Sequence, residues 1–216
     1  ELIAETQNAA RELLAQAKVA PSAVQHVWQH LTDAYFLRHT PEEIAWHTTL
    51  IAENDSASGD PLVSVRHQAA RGGTAIFTCT PHRQHSFART TAVLDQLGLN
   101  IVDARITPVG NGFSLDTYHV LEEDGAMIAD DDRLAEIHGA LWASLQRPDE
   151  APLAVLRRAP RQLRVFRTPT QITISVDERN ARSVLELVAG DRPGLLCDVG
   201  KVLWEEHVDL AAAKIG

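Results

Sequence analysis

Only two cysteines, Cys79 and Cys197, stand among the 216 residues, and they do not have the spacing of metal ligands. So sparing a use of thiols fits a reducing cytoplasm, where the chain is expected to work. No run of about 18 apolar residues occurs, which excludes a membrane-spanning helix. A basic surplus is missing as well. The net charge is −9 and the pI about 5.5. Nucleic acid and anionic membranes both call for a positive footprint, so neither is expected as the main partner. The start, "ELIAETQNAARELL", lacks the basic region of a signal peptide and lacks an initiator Met. Glu1 is therefore expected to be an internal residue of a longer protein.

What is present suffices for one large or two small globular units, since 44% of the residues are hydrophobic. Residues 1–57 read as a helical segment. Leu2, Ile3, Leu13, Leu14 and Val19 recur at helical spacing, and Val24, Val27, Trp28 and Leu31 give a second helix opened by Pro21 its apolar face. "HTPEEIAWHTTLIAEN" begins with an N-cap, Thr40, a proline in the first helical position and a capping-box Glu43. The polar, turn-rich "NDSASGDP" marks a boundary.

Beyond it the pattern becomes that of strands. "LVSVRHQ" and "GTAIFTCTP" are β-branched, "SFARTTAVLDQLG" is helical, and "LNIVDARITPV" and "FSLDTYHVLE" flank the hairpin turn Gly110-Asn111-Gly112. "DDDRLAEIHGALWASL" is an amphipathic helix with acidic residues in its first turn. "TQITISVDE" alternates as a half-buried strand. With the first short strand set aside, the order from Gly73 is β-α-β-β-α-β. That order predicts an α+β, ferredoxin-like unit over 62–178, interrupted by an insertion at 148–168. The tryptophans Trp28, Trp46, Trp142 and Trp204 fall on helix faces and read as core anchors. Arg157, Arg158, Arg161, Arg164 and Arg167 form a basic cluster, read as a solvated face, with a docking surface as the lesser alternative.

The closing stretch repeats what precedes it. Shifted by 109 residues and without a gap, 183–215 overlays 74–106: Arg192 falls on Arg83, Val202 on Val93, Leu203 on Leu94, Ala213 on Ala104 and Ile215 on Ile106. Residues 182–216 thus read as the first half, βαβ, of a second copy. Its loop is Asp191, Arg192, Pro193, Gly194, Leu195 and Leu196. Free N–H groups at a helix start hold a carboxylate well, and the glycine count is too low for a phosphate loop. A cap at Asp191 and a plain Pro-Gly turn account for the same residues. In the first copy the loop reads His82, Arg83, Gln84 and His85. Metal binding through His82 and His85 is one reading; a polar loop facing the partner copy or solvent is the preferred one.

The strand, "DRPGLL" and helix resemble an ACT domain, a βαββαβ module that senses amino acids. The stretches "YFLRHTPEEIAWHTTLI", "SLDTYHVLEEDG" and "RSVLELVAGDRPGLLCDVGKVL" are together similar to the C-terminal part of the bacterial bifunctional uridylyltransferase/uridylyl-removing family. The resemblance implies one ACT domain and half of another, placed after a hydrolase domain outside this chain. It implies glutamine as the effector, held by the Asp191–Leu196 loop with Asp209 and Leu210 at its edge, and it implies the signalling protein PII as the partner of the parent enzyme. No His-Asp pair and no Gly-Ser followed by Asp-x-Asp occurs, so no catalytic residue and no cofactor is expected here. Magnesium belongs to the parent's catalytic domains. Two other readings stay open: an ACT-type oligomerisation module without a ligand, able to form homodimers, and the ACT region of another amino-acid-regulated enzyme.

Overall fold

The computed structural model describes residues 2–54, 60–68, 72–83, 85–147, 169–178, 182–210 and 212–215. The insertion at 148–168, with the arginine cluster inside it, and Gln84 lie outside the described residues.

Four helices open the chain: α1 (Leu2–Gln16), α2 (Pro21–Trp28), α3 (Asp33–Arg38) and α4 (Pro41–Glu53). The capping box of α4 forms as its sequence demands. The Glu43 N–H donates to Thr40 Oγ1, and the Glu43 carboxylate accepts from the Thr40 N–H. Then come β1 (Leu62–Gln68), β2 (Gly73–Pro81), α5 (Ser86–Gln96), β3 (Leu99–Pro108), β4 (Phe113–Glu122) and α6 (Asp131–Leu145). The hairpin between β3 and β4 closes with the Val109 N–H on the Phe113 carbonyl. Gly112 sits at φ +80°, in the left-handed region that favours glycine. The α+β class, with a helical segment ahead of a four-stranded antiparallel sheet, is as the sequence predicts.

One strand is not. The sheet order is β1-β2-β4-β3. The strand set aside in the sequence reading holds the edge beside β2, running from Leu62 opposite Cys79 to Gln68 opposite Gly73. The strand expected to close that sheet, β5 (Gln171–Asp177), pairs instead with β6 (Arg182–Val188) in a separate two-stranded sheet. Both segments read as strands locally. Which of them joins β2 is decided by tertiary packing of α6 over β1, to which local alternation is blind.

With β1 and β5 in place, the repeat reaches one strand further upstream than the overlay of 183–215 on 74–106. The same shift of 109 carries β1 onto β5, β2 onto β6 with the same first residue and an end two residues earlier, and α5 onto α7 (Leu195–Glu205). The two hairpins share a register: Leu62 faces Cys79 in one, and Gln171 faces Val188 in the other.

Both faces of the four-stranded sheet are covered. Ile76, Ala104, Ile106, Tyr118 and Val120 pack under α5 and α6 with Phe87, Leu94, Ile137 and Leu141. On the other face Phe77 and Leu115 join Ala10, Leu14, Val27, Trp28, Tyr35, Phe36 and Ile44 of the N-terminal helices. The helical segment and the sheet therefore share one core, despite the turn-rich stretch that separates them in sequence. Three tryptophans make interior or inter-element contacts. Trp28 donates to Thr48 Oγ1 at 2.9 Å, Trp46 stacks under the Arg66 guanidinium, and Trp204 meets the His85 ring. Trp142, expected as a fourth anchor, is 38% exposed.

Candidate functional site

The two copies meet through counterpart residues. Arg105 forms an isolated antiparallel bridge with Lys214, its own counterpart under the shift of 109. Helices α5 and α7 pack side by side and meet at Ala88 and Gly200. A Cβ on Gly200 would stand 2.8 Å from the Ala88 Cα, so only glycine admits this approach. The contacts around the crossing come in symmetric pairs. Gly194 touches Asp95, while their counterparts, His85 and Trp204, touch each other.

This arrangement redistributes the site residues read from the sequence. Gly194 lies at φ +78° as the N-cap of α7, the backbone conformation for which glycine is needed. Its N–H, expected free from the sequence, is not: it donates to the carboxylate of Asp95 on α5, which the α5–α7 packing brings to the helix start. The Leu195 N–H turns back to the Arg192 carbonyl, and the Arg192 guanidinium pairs with Asp198 at 2.7 Å. Pro193 fixes the loop ahead of Gly194, and Leu196 packs against the main core. Asp191 is exposed.

Asp209 and Leu210, expected beside that loop, meet the first-copy loop. His82 Nε2 lies 3.2 Å from Asp209 Oδ1, and Leu210 closes a small recess with His82, Arg83, Ser86 and Asp116. Each copy's loop thus reaches across to the other copy. Of the loop read as facing the partner copy or solvent, His82 and His85 meet the second copy at Asp209 and Trp204. Among the described residues no group of three or more His, Cys, Asp or Glu could hold a metal ion. Nor is any described helix long and apolar enough to cross a membrane.

The sequence reading missed a second polar centre, between the helical segment and the sheet. Glu43, 1% exposed, caps α4 and also receives the Arg105 guanidinium at 3.0 Å. Arg105 continues to Asp103 Oδ2 at 2.9 Å and to the Arg38 carbonyl at 2.8 Å. His119 stands 3.6 Å from both Glu43 and Asp103 and 2.5 Å from Gln68 Oε1. Arg105 therefore ties three bodies together: α3 and α4, the sheet and the second copy. The one advance signal was the capping box at Glu43. Nothing local shows that its carboxylate serves two masters.

Beside this centre two histidines are buried neutral. Burial lowers the His39 pKa from 6.5 to about 4 and holds that of His47 well below its ordinary value. Tyr35 Oη sits 2.8 Å from His47 Nδ1, an arrangement in which the phenol donates to an unprotonated ring. Asp116, buried near the first loop, moves the other way, up to about 6, again through burial. Unfolded His39 binds more protons than the folded residue between about pH 4 and 6.5, so it costs stability as pH falls through that window, and His47, also held down by burial, acts in the same direction. At pH 5 that is on the order of 2 kcal/mol for His39. Asp116 opposes this below about pH 6, because the folded carboxyl takes up its proton first. Thermal unfolding at pH 7 and pH 5 is expected to show a lower melting temperature at pH 5. Asp116→Asn should steepen that loss; an unchanged slope would mean that Asp116 does not titrate in this range.

Residues 1–50 match the family model described as the uridylyltransferase GlnD fifth domain. The whole chain aligns with proteins named bifunctional uridylyltransferase/uridylyl-removing enzyme. It is 43% identical to that of Pseudomonas savastanoi pv. phaseolicola, 43% to that of Stutzerimonas stutzeri and 42% to that of Ectopseudomonas mendocina. In each case the alignment covers 100% of this chain and 24% of the relative, so the chain spans about a quarter of their length. No solved structure matches the chain.

Proposed function

We propose that this chain, similar along its whole length to the C-terminal part of bifunctional uridylyltransferase/uridylyl-removing enzymes, is the amino-acid-sensing region of such an enzyme. It binds and regulates, and holds no catalytic residue of its own. Glutamine is the proposed effector, UMP transfer to and removal from PII the proposed regulated reactions, and the cytoplasm the proposed compartment.

The observation that carries the reading is the pairing of two repeats about Arg105 and Lys214, with the loop of each copy presented to the other. A ligand between the copies touches both at once, and its differential affinity for two arrangements of the pair is what can shift an enzyme. At Gly194 the Asp95 carboxylate stands in for the α-carboxylate of an amino acid. Glutamine would exchange with it and part the loop of α7 from α5. The link from Arg105 through Glu43 to α4 gives that movement a path into the helical segment.

Ile172, Ile174, Val176 and Leu185 are 49–71% exposed along one face of the β5–β6 hairpin. Their first-copy counterparts include Val63, Val65 and Ile76, which belong to the packed core. In the first copy α6 covers that hairpin. Titration of the chain with L-glutamine in a calorimeter tests the sensing reading. Saturable heat with L-glutamine and none with D-glutamine supports it. No heat at millimolar ligand, with the chain folded, overturns it.

A further inference from the structure

A buried carboxylate without an ion pair stands at the seam between the copies. Asp116, on β4, is 2% exposed. It accepts from Ser114 Oγ at 2.5 Å and from the backbone of Thr107, and among the described residues no cation forms an ion pair with it. It lines a recess of about 10 Å³, about the room of one water molecule. Ser86 and Phe87 at the start of α5, His82 and Arg83 of the first-copy loop, and Leu210 of the second copy share the lining. Leu210 also packs against the main core, and the residue before it, Asp209, meets His82 Nε2 at 3.2 Å. One wall of the recess around Asp116 is therefore an apolar side chain that belongs to the other copy.

An apolar wall suits a neutral acid and penalises a charged one, which needs water or donors around it. We propose that Asp116 is a proton-controlled latch between the copies: with its proton on, Leu210 stays seated and the first-copy loop holds the second copy; with its proton off, water enters the recess and Leu210 and Asp209 lift away. The groups that face Asp116 are His82 and Arg83 of the loop, Asp209 across the seam, and Cys79 and Tyr118 within the sheet. Burial pushes the Cys79 thiol up to about 12 and the Tyr118 phenol well above its ordinary value, so both stay neutral while Asp116 titrates. Positive charge on His82 favours the charged form of Asp116. In the closed seam burial raises the Asp116 pKa from 3.8 to about 6, and hydration in the open seam returns it toward 3.8. The closed form thus binds the proton better. The added closure is fully present below about pH 4 and is lost as pH rises through about 6, a swing of roughly a hundredfold in the ratio of closed to open. The latch lies at the start of α5, whereas the proposed glutamine contact at Asp95 lies near its end, and it works without an effector.

The test is a pH titration of the labelled chain by NMR, without glutamine. It follows the Asp116 carboxyl carbon together with the Leu210 methyls and the Asp209 amide. Coupling is reciprocal, so all three are expected to move along one curve with a midpoint near 6. Leu210→Ala removes the apolar wall and should lower the Asp116 midpoint from about 6 toward 3.8. Asp116→Asn, of the same shape and without the charge, should abolish the shared curve at Leu210 and Asp209; this variant decides the matter even if Leu210→Ala fails to fold. An Asp116 midpoint unmoved by Leu210→Ala overturns the proposal, as does a titration of Leu210 and Asp209 that persists in Asp116→Asn.

Discussion

Replacing Asp95 by alanine is expected to raise the affinity for L-glutamine about tenfold, although it deletes a contact of the native structure. The Asp95 carboxylate accepts from the Gly194 N–H, the donor proposed to hold the effector's carboxylate. An internal competitor lowers apparent affinity by the fraction of molecules whose site it fills, and removing it restores that fraction. A tenfold gain equals about 1.4 kcal/mol, within reach of one charge-assisted hydrogen bond. The same substitution loosens the hold of α5 on α7, so the unliganded variant should melt at a lower temperature than the parent. Calorimetry and thermal unfolding on one preparation read both effects. Weaker glutamine binding in Asp95→Ala would mean that Asp95 supports the ligand instead of competing with it.

The largest loss of stability is expected at Glu43. Its carboxylate completes the α4 capping box and pairs with Arg105, which is itself largely buried. Glu43→Ala removes the cap contact and leaves the guanidinium with Asp103 as its remaining carboxylate partner among the described residues. Breaking one side of a buried ion pair costs about 3–5 kcal/mol, and a lost cap about 1 kcal/mol more. Glu43→Gln keeps an acceptor for the Thr40 N–H and should lose less. Urea unfolding of the three proteins orders them. Equal midpoints for Glu43→Ala and the parent would show that Arg105 finds another partner. The Arg105 link also predicts that Glu43→Gln blunts any response of α4 to a ligand bound between the copies.

Much of this fold could be read from local pattern. The start of α4 follows from Thr40, Pro41 and Glu43, and the β3–β4 hairpin from Gly110-Asn111-Gly112, because caps and tight turns are decided by a few adjacent residues. The repeat was legible from Thr74 to Ile106 for the same reason: strand, loop and helix keep their register without a gap. Its upstream part was not. β1 and β5 share little identity, and a half-buried strand carries no mark of which neighbour it joins. The site divided along the same line. Gly194 at the start of α7 was legible, since a strand, Pro-Gly and a helix specify it locally. That Asp95 would fill it, or that Asp209 would meet His82 and not Asp191, depends on contacts between residues about a hundred positions apart. The polar centre of Glu43, Arg105, Asp103 and His119 was hidden likewise. Each residue alone looks like an ordinary member of a helix or strand.

The amide resonance of Gly194 tests the account most directly. On addition of L-glutamine to the ¹⁵N-labelled chain, that resonance is predicted to move as its hydrogen bond to Asp95 gives way to one to the carboxylate of the ligand. The amide of Asp95 should respond with it, along a single saturation curve. A Gly194 resonance that stays fixed at saturating glutamine, in a folded chain, would contradict the claim that this helix start receives the effector.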